Sequence, residues 1–270
     1  MELLFPATPG SKETSLRIEY SMIVDVIILS RCLTREDFEV NQRCVQSLSV
    51  SEPDIDFRIL IIESGGGNFA ETGRVYEHAS VSVIIPDEPF RFHRFLNIGL
   101  NHSRSEWVVF SNNDVIFHAG WFSEILKLKA MDPRIQSFCP FDRNAPFLPF
   151  EKFSQKAYHL GYRVPIEFVG WCFVVERGVF QKMGMFDERY DLYFGDNDFA
   201  RTLKRKSVLH AMVPSSYVEH LGGYTTKKYD AVGTPEYERD KERYKAKWGD
   251  TRFRSFLYAV ASNIRRRISS

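Results

Sequence analysis

Long apolar runs, closely spaced cysteine pairs and an excess of either charge are all missing from this chain of 270 residues. No stretch of about 18 apolar residues occurs, so no helix able to span a bilayer is expected. The opening segment, Met1 to Gly10, lacks a basic region followed by a long apolar one, so no signal peptide is expected there. The four cysteines, Cys32, Cys44, Cys139 and Cys172, form no CxxC or CxxxC pair. That spacing argues against a structural zinc site and a small disulfide scaffold, and leaves each as a buried small hydrophobe or a free thiol. Lys and Arg total 36 against 35 Asp and Glu, so net charge points to no acidic partner. No internal repeat or low-complexity tract is present. These absences lead to the expectation of a soluble, cytoplasmic protein in a reducing compartment.

What is present is an alternation of short apolar runs and helical patterns. Residues 23–29, 57–62, 81–85 and 107–110 are short, β-branched and nearly unbroken, as buried strands are. Between them, residues 34–50 and 92–100 carry apolar side chains at helical spacing, and 121–128 follow the last of these runs in the same way. Further on, 169–175 and 208–213 read as strands, 179–183 as a short helix capped by Gly184, and Asp196 opens another helix. The Pro- and aromatic-rich stretch 132–168 reads as irregular. Strands alternating with helices predict βαβ units in an α/β fold with a mostly parallel sheet. In such sheets ligands sit beyond the carboxyl ends of the strands, so polar residues just after each strand are the first candidates.

Those positions hold carboxylates. Glu63 ends the second run, Asp114 follows the fourth, and Asp196 and Asp198 follow the loop 190–195. Carboxylates gathered at one sheet edge repel unless a cation lies between them, and hard oxygen ligands suit Mg2+ or Mn2+ carrying a diphosphate. Asn112 and Asp114 flank one residue and would share a side if that segment were extended. Each feature also has a plainer reading. Asn112-Asn113-Asp114 could be a simple turn, Asp196 and Asp198 could cap a helix, His220 could be a hydrogen-bonded structural histidine, and Trp121 and Trp171 could be core.

The order of motifs adds a resemblance. Residues 24–220 resemble family 2 glycosyltransferases and their GT-A relatives. The resemblance is carried by Val26-Ile27-Ile28-Leu29-Ser30, Ile61-Ile62-Glu63-Ser64-Gly65, Asn97-Ile98-Gly99-Leu100 and Trp107 to Asp114. It continues through Gly170 to Val175, Gly184 to Tyr190, Tyr193 to Asp198 and Val218 to Gly223. The segment Phe92-His93-Arg94 followed by Asn97-Ile98-Gly99 is similar to the Phe-x-Arg…Asn-x-Gly stretch of galactosyltransferases.

The resemblance implies a GT-A (Rossmann-like) fold and transfer of a sugar from a nucleoside-diphosphate sugar to a hydroxyl acceptor. It implies an inverting reaction with Mn2+ or Mg2+. Glu63 matches the contact to the nucleotide base and Ser30 the contact to the nucleoside. Asn112 and Asp114 take the two acidic positions of the DxD motif, with Asp114 and His220 as metal contacts. Asp196 matches the general base, Arg94 is the candidate cation for the diphosphate, and Trp171 and Asp198 are acceptor-side candidates. Asn112, Ser64 and Gly195 depart from the family, each replacing an acidic residue. The domains expected are an N-terminal arm (1–21), a GT-A catalytic domain (22–235) and a C-terminal helical extension (236–270).

Residues 236–247 mix charge signs and read as a helix with a solvated face. Residues 252–268 combine an apolar stripe with Arg252, Arg254 and Arg265 to Arg267. Such a helix could meet a membrane surface, a subunit or the protein's own body. The acceptor is open among glycan, glycolipid, protein and small molecule, with a nucleic-acid base only weakly supported. Two competing readings are a decayed nucleotide-sugar or glycan-binding module, kept alive by Asn112 and Gly195, and a nucleotidyltransferase. The latter's Gly-rich signature is missing from Ser30-Arg31-Cys32-Leu33.

Overall fold

The computed structural model describes residues 22–65, 80–145, 150–222 and 233–249. The arm at 1–21, the glycines Gly66, Gly67 and Gly223, and the stripe at 252–268 lie outside the described residues. The chain begins with β1 (Met22–Ser30), α1 (Arg35–Ser51), β2 (Ile55–Glu63), β3 (Val81–Ile84) and α2 (Phe92–His102). Next come β4 (Trp107–Asn112), β5 (Val115–Phe117), α3 (Trp121–Met131), β6 (Ile135–Asp142), α4 (Phe150–Phe153) and β7 (His159–Leu160). The last elements are β8 (Cys172–Glu176), α5 (Gly178–Met183), α6 (Gly195–Arg205), β9 (Leu209–His220) and α7 (Pro235–Trp248).

One nine-stranded sheet runs β3-β2-β1-β4-β8-β6-β9-β5, with β7 attached to β9. The parallel arrangement expected holds from β3 to β4, with α1 crossing from β1 to β2 and α2 from β3 to β4. Beyond β4 the sheet is mixed: β8 runs antiparallel to β4 and β6, and β6 and β9 run parallel to each other. The directions put the carboxyl ends of β1, β2, β4, β6 and β9 on the same edge as the start of β8. One apolar layer lies on each face, with Ile28, Leu48, Trp121 and Phe122 on one side and Ile27, Phe95, Phe173 and Phe199 on the other. All four cysteines are buried and unpaired, as expected for small core residues.

Two sequence readings change. The stretch 132–168 is not irregular throughout, because Ile135–Asp142 forms a strand in the middle of the sheet. Pro140 disguised it, since a proline cannot donate to a ladder; here it sits where the β6–β9 register jumps, from Pro140 opposite Val213 to Phe141 opposite Tyr217. Likewise the strand expected to stop at Val213 passes Pro214 through that bulge and reaches His220. The boundary expected from Thr34 is correct. Its hydroxyl accepts from Asp37 N while Asp37 Oδ2 accepts from Thr34 N, which caps α1 at both groups.

Helix α2 lies against β1 at Gly99, where an added Cβ would stand 2.5 Å from Ile27 Cγ2 and 3.0 Å from Ile27 Cγ1. Ile27 is fully buried and has no room to yield. Gly99→Ala is therefore expected to lower unfolding stability by about 1–3 kcal/mol in a urea titration, through overpacking. The control Gly178→Ala, with no atom within 4 Å of its added Cβ, should stay within about 1 kcal/mol of the parent.

Candidate functional site

The carboxyl edge of the sheet is organised by a buried chain of hydrogen bonds that starts at Glu63. This fully buried carboxylate accepts from Ser30 Oγ at 2.6 Å, Cys32 N at 2.9 Å and Gly65 N at 2.5 Å. Asn41 Nδ2 donates to Ser30 Oγ at 2.6 Å, and Asn113 Nδ2 donates to Asn41 Oδ1 at 2.5 Å. Gly65 is required for this closeness, because a Cβ there would lie 2.8 Å from the Cys32 carbonyl oxygen and from Glu63 Oε1. Glu63 and Ser30, expected to contact the base and the nucleoside, are thus bonded to each other and to the loop backbone. Their polar atoms brace the loops after β1 and β2.

Asn113 and Asp114 form the tight turn between β4 and β5, so the segment is not extended. The argument that Asn112 and Asp114 share a side therefore fails at the local level. Asn112 is fixed through its main chain, its N–H donating to the Trp171 carbonyl at 2.8 Å. Asp114 is brought into place by tertiary pairing instead. β5 runs antiparallel to the end of β9 with Val115 opposite His220, and Leu221 N donates to the Asp114 carbonyl at 3.0 Å. As a result His220 Nε2 stands 3.2 Å from Asp114 Oδ1, in a geometry that makes no hydrogen bond between them. Trp171 stacks on the His220 ring at 4.8 Å and 9°, which locks the imidazole in plane. Among the described residues, no group of three or more His, Cys, Asp or Glu side chains could hold a metal ion. A hard cation at Asp114 and His220 would need its remaining ligands from a bound diphosphate or water.

Asp196 stands on the other side of the same dipeptide. A Cβ on Gly170 would lie 2.8 Å from Asp196 Cβ, so Gly170 admits Asp196 while Trp171 holds His220. Asp196 keeps a partly exposed edge, yet burial of its carboxyl raises its pKa against the N–H bond from Asn197 at 2.7 Å. Gly195 also has a packing reason: its Cβ would meet His93 Nε2 at 2.7 Å. His93 is buried against Phe186 and Tyr190, with Nδ1 2.9 Å from the Asp187 carbonyl. The acidic residue expected before the base is thus displaced by a ring that fills its space.

Two other candidates, Arg94 and Asp198, have partners within the protein. The Arg94 guanidinium is clamped between Glu88 at 3.0 Å and Glu188 at 3.3 Å, so two carboxylates already answer its charge. Asp198 is buried and turned toward α7: Oδ1 accepts from Tyr190 Oη at 3.1 Å and Trp248 Nε1 at 2.7 Å, and Oδ2 from Lys247 Nζ at 2.9 Å. It joins two helices and does not face the sheet edge.

Two features beside the candidate site were missed from the sequence. Asp142, at the end of β6, is buried beside the His220 main chain; burial raises its pKa, opposed by N–H bonds from Asn144 and His220 and by the His220 ring. The signal for it was a carboxylate ending a strand, hidden because the strand itself was not recognised. The second is α7, whose charged sequence suggested a solvated face. Asp240 is fully buried and accepts from the N–H groups of Asp191, Leu192 and Tyr193 at 2.9–3.1 Å. That loop leads into Phe194, a left-handed residue at φ 62°, and then into Asp196. Asp240→Ala would leave these amides without their buried acceptor, so a stability loss of about 1–3 kcal/mol is expected by chemical denaturation.

No protein-family model matches the sequence. Among curated proteins, the N-acetylglucosaminyl-diphospho-decaprenol L-rhamnosyltransferase of Mycobacterium tuberculosis is 28% identical over 150 residues, and two strains carry it. The match covers 45% of this chain and 48% of the relative, so the chain spans about half the length of the curated relatives it matches. Among solved structures, GalNAc-T7 with UDP, GalNAc and Mn2+ superposes with a TM-score of 0.62 at 16% identity, covering 86% of this chain and 50% of that one. Residues 1–349 of S. aureus TarS give 0.58 at 12% identity, covering 74% of this chain and 60% of that one. Superposed in this way, the chain has the GT-A fold and resembles the glycosyltransferases built on it.

Proposed function

We propose that this protein is a metal-dependent, inverting glycosyltransferase that uses a nucleoside-diphosphate sugar and a hydroxyl acceptor. The observation that carries the reading is the convergence of Asp114 Oδ1 and His220 Nε2 at 3.2 Å, across the Gly170–Trp171 dipeptide from Asp196. The rhamnosyltransferase relative and the neighbour bound to UDP, GalNAc and Mn2+ support a nucleotide-sugar donor and a divalent ion for this chain.

Asp114 and His220 would hold the ion, and a carboxylate with an imidazole suits Mn2+ better than Mg2+. Bound there, the ion would neutralise charge on the leaving diphosphate. The chain's own residues do the rest. The loops braced by Glu63 hold the donor's nucleoside end against backbone. Trp171 keeps the His220 ring fixed and offers its free rim to a sugar. Asp196 takes the acceptor hydroxyl's proton as that oxygen attacks the anomeric carbon and the C–O bond to the diphosphate breaks. No covalent sugar–enzyme bond is formed in this scheme. The competing reading of a decayed binding module loses one of its two supports, because Gly195 answers to the packing of His93.

A thermal-shift series with nucleoside diphosphates and nucleotide sugars, with and without Mn2+, tests the donor site. At 100 times Kd, a donor should stabilise the protein by about 2.7 kcal/mol. The shift should need the metal and vanish in Asp114→Ala. If no nucleotide moves the melting temperature, the transferase reading fails.

Asp196→Asn tests the base. Transfer should fall by about 100-fold or more, the usual weight of a general base. The parent's acid limb should lie above the ordinary Asp value of about 3.9, because burial raises Asp196. The stability consequence has the opposite sign. A raised folded-state pKa means folding favours the neutral acid; that benefit is complete below the unfolded value and is lost as pH rises through the folded one. At pH 7 the folded protein therefore holds an ion it would rather protonate, and Asp196→Asn should melt higher than the parent. A variant that melts lower or keeps full activity would remove Asp196 from this role.

A further inference from the structure

A large open cavity runs along α6 between the 160–167 segment and the last turn of α7, with a volume of about 1060 Å³. Its cations Lys204 and Arg205 close α6, just before β9 begins at Leu209. Asp114 and His220 lie instead where β9 finishes. β6 runs between those two levels, from Ile135 opposite Leu209 to Asp142 opposite Val218, a separation of roughly 20 Å or more. These cations therefore sit away from the carboxyl edge.

The charge of the lining is one-sided. Among the described residues its carboxylate is Glu167, which is buried and paired with Arg163. Lys204 and Arg205 are exposed, as is Lys206 beside them, and no carboxylate among the described residues pairs with any of these three. Arg205 lies over the Trp248 ring at 4.6 Å and Arg201 over the same ring at 4.8 Å. The ring is fixed by the bond from Trp248 Nε1 to Asp198 at 2.7 Å. Stacking holds a guanidinium in plane and leaves its N–H edge for phosphate oxygens. The dipole at a helix C-terminus accounts for cations in the last turn, but not for a tryptophan set against them.

The rim and the chain beyond it point to the source of the phosphate. Leu160, on the rim, is 49% exposed, and Trp248 is half-buried. Apolar and aromatic side chains beside Lys and Arg suit a membrane–water boundary. By sequence, the chain continues from Trp248 into a stretch of one charge, since residues 251–270 hold five arginines and no Asp or Glu. Clustered cations of this kind are attracted to anionic lipid.

We propose that this end of the molecule docks on an anionic phospholipid surface, with headgroup phosphates entering the cavity to meet Lys204 and Arg205. The association is peripheral, because no helix among the described residues is long and apolar enough to cross a membrane. It does not depend on the roles given to Asp114, Asp196 and His220.

Vesicle co-sedimentation of the full chain is the test, at about 0.1 M salt, where exposed charges more than about 10 Å apart are screened. One set of vesicles is phosphatidylcholine alone, and the other is equal parts phosphatidylcholine and phosphatidylglycerol. The parent should bind the mixed vesicles and not the neutral ones. Lys204→Glu should bind at least about fivefold more weakly, and Lys204→Glu/Arg205→Glu at least about 20-fold. Arg35→Glu/Lys127→Glu makes the same change of net charge at exposed positions on α1 and α3, which pack on the other face of the sheet from α6. That pair should stay within about threefold of the parent. Residues 251–270 are unaltered in every variant, so a difference between the two pairs belongs to the cavity. Lys204→Glu changes one exposed side chain, so it remains readable if the double change disturbs Trp248. The proposal is overturned if the parent ignores the mixed vesicles, binds both kinds alike, or loses no more in the cavity pair than in the control pair.

Discussion

The antiparallel pairing of β5 with the last residues of β9 is the constraint on which the site depends. β5 is only three residues long and follows a tight turn, so alone it has little to hold it. Its ladder to Val218, Glu219 and His220 fixes the turn from both sides and sets Asp114 against the histidine. The same strand pairs on its other edge with β6, where the bulge at Pro140 lets β9 pass Pro214 and still finish level with Asp142. A shift of one residue in either ladder would turn His220 to the opposite face and remove Trp171 from its ring. The closeness of Asp114 and His220 is therefore a property of sheet register more than of the Asn-Asn-Asp turn.

The second support is the way glycines and buried carboxylates trade space for polarity. Gly65, Gly170 and Gly195 each stand where a Cβ would collide, with Cys32 and Glu63, with Asp196, and with His93. Each close approach lets a polar side chain reach a backbone or a ring that a larger residue would hold off. Glu63 and Asp240 do similar work from opposite sides: each is fully buried, and each gathers main-chain amides that no strand or helix satisfies. An unsatisfied buried amide is costly, so these carboxylates hold their loops in one conformation. Glu63 holds the loops after β1 and β2, and Asp240 the loop leading into Asp196.

α7 connects these halves to the rest of the surface. Its Lys247 bridges Asp187 and Asp198, and its Trp248 bonds Asp198 while carrying the stacked arginines of α6. A helix with so many charges gains little from exposed ion pairs, which are worth about 1 kcal/mol or less. Its value lies in the few side chains that are buried, Asp240 and Tyr244 among them.

Much of this was legible in the chain. The β-branched runs ending in Ser30, Glu63 and Asn112, with helical spacing between them, determined an α/β sheet and named its functional edge, because period and burial leave a local signature. The polar residues after those runs likewise placed Asp114 and Asp196 as candidates, and the family resemblance added His220. Local spacing carried no information on how those residues are used. That Glu63 and Ser30 turn inward, that Arg94 is answered by Glu88 and Glu188, and that Asp198 faces Trp248 were decided by contacts between segments far apart in sequence. β6 was hidden because Pro140 breaks the pattern unless a bulge on β9 accommodates it. Only the folded sheet, by placing strand ends side by side and excluding water from them, determined which carboxylates stay open to a ligand and which satisfy the backbone.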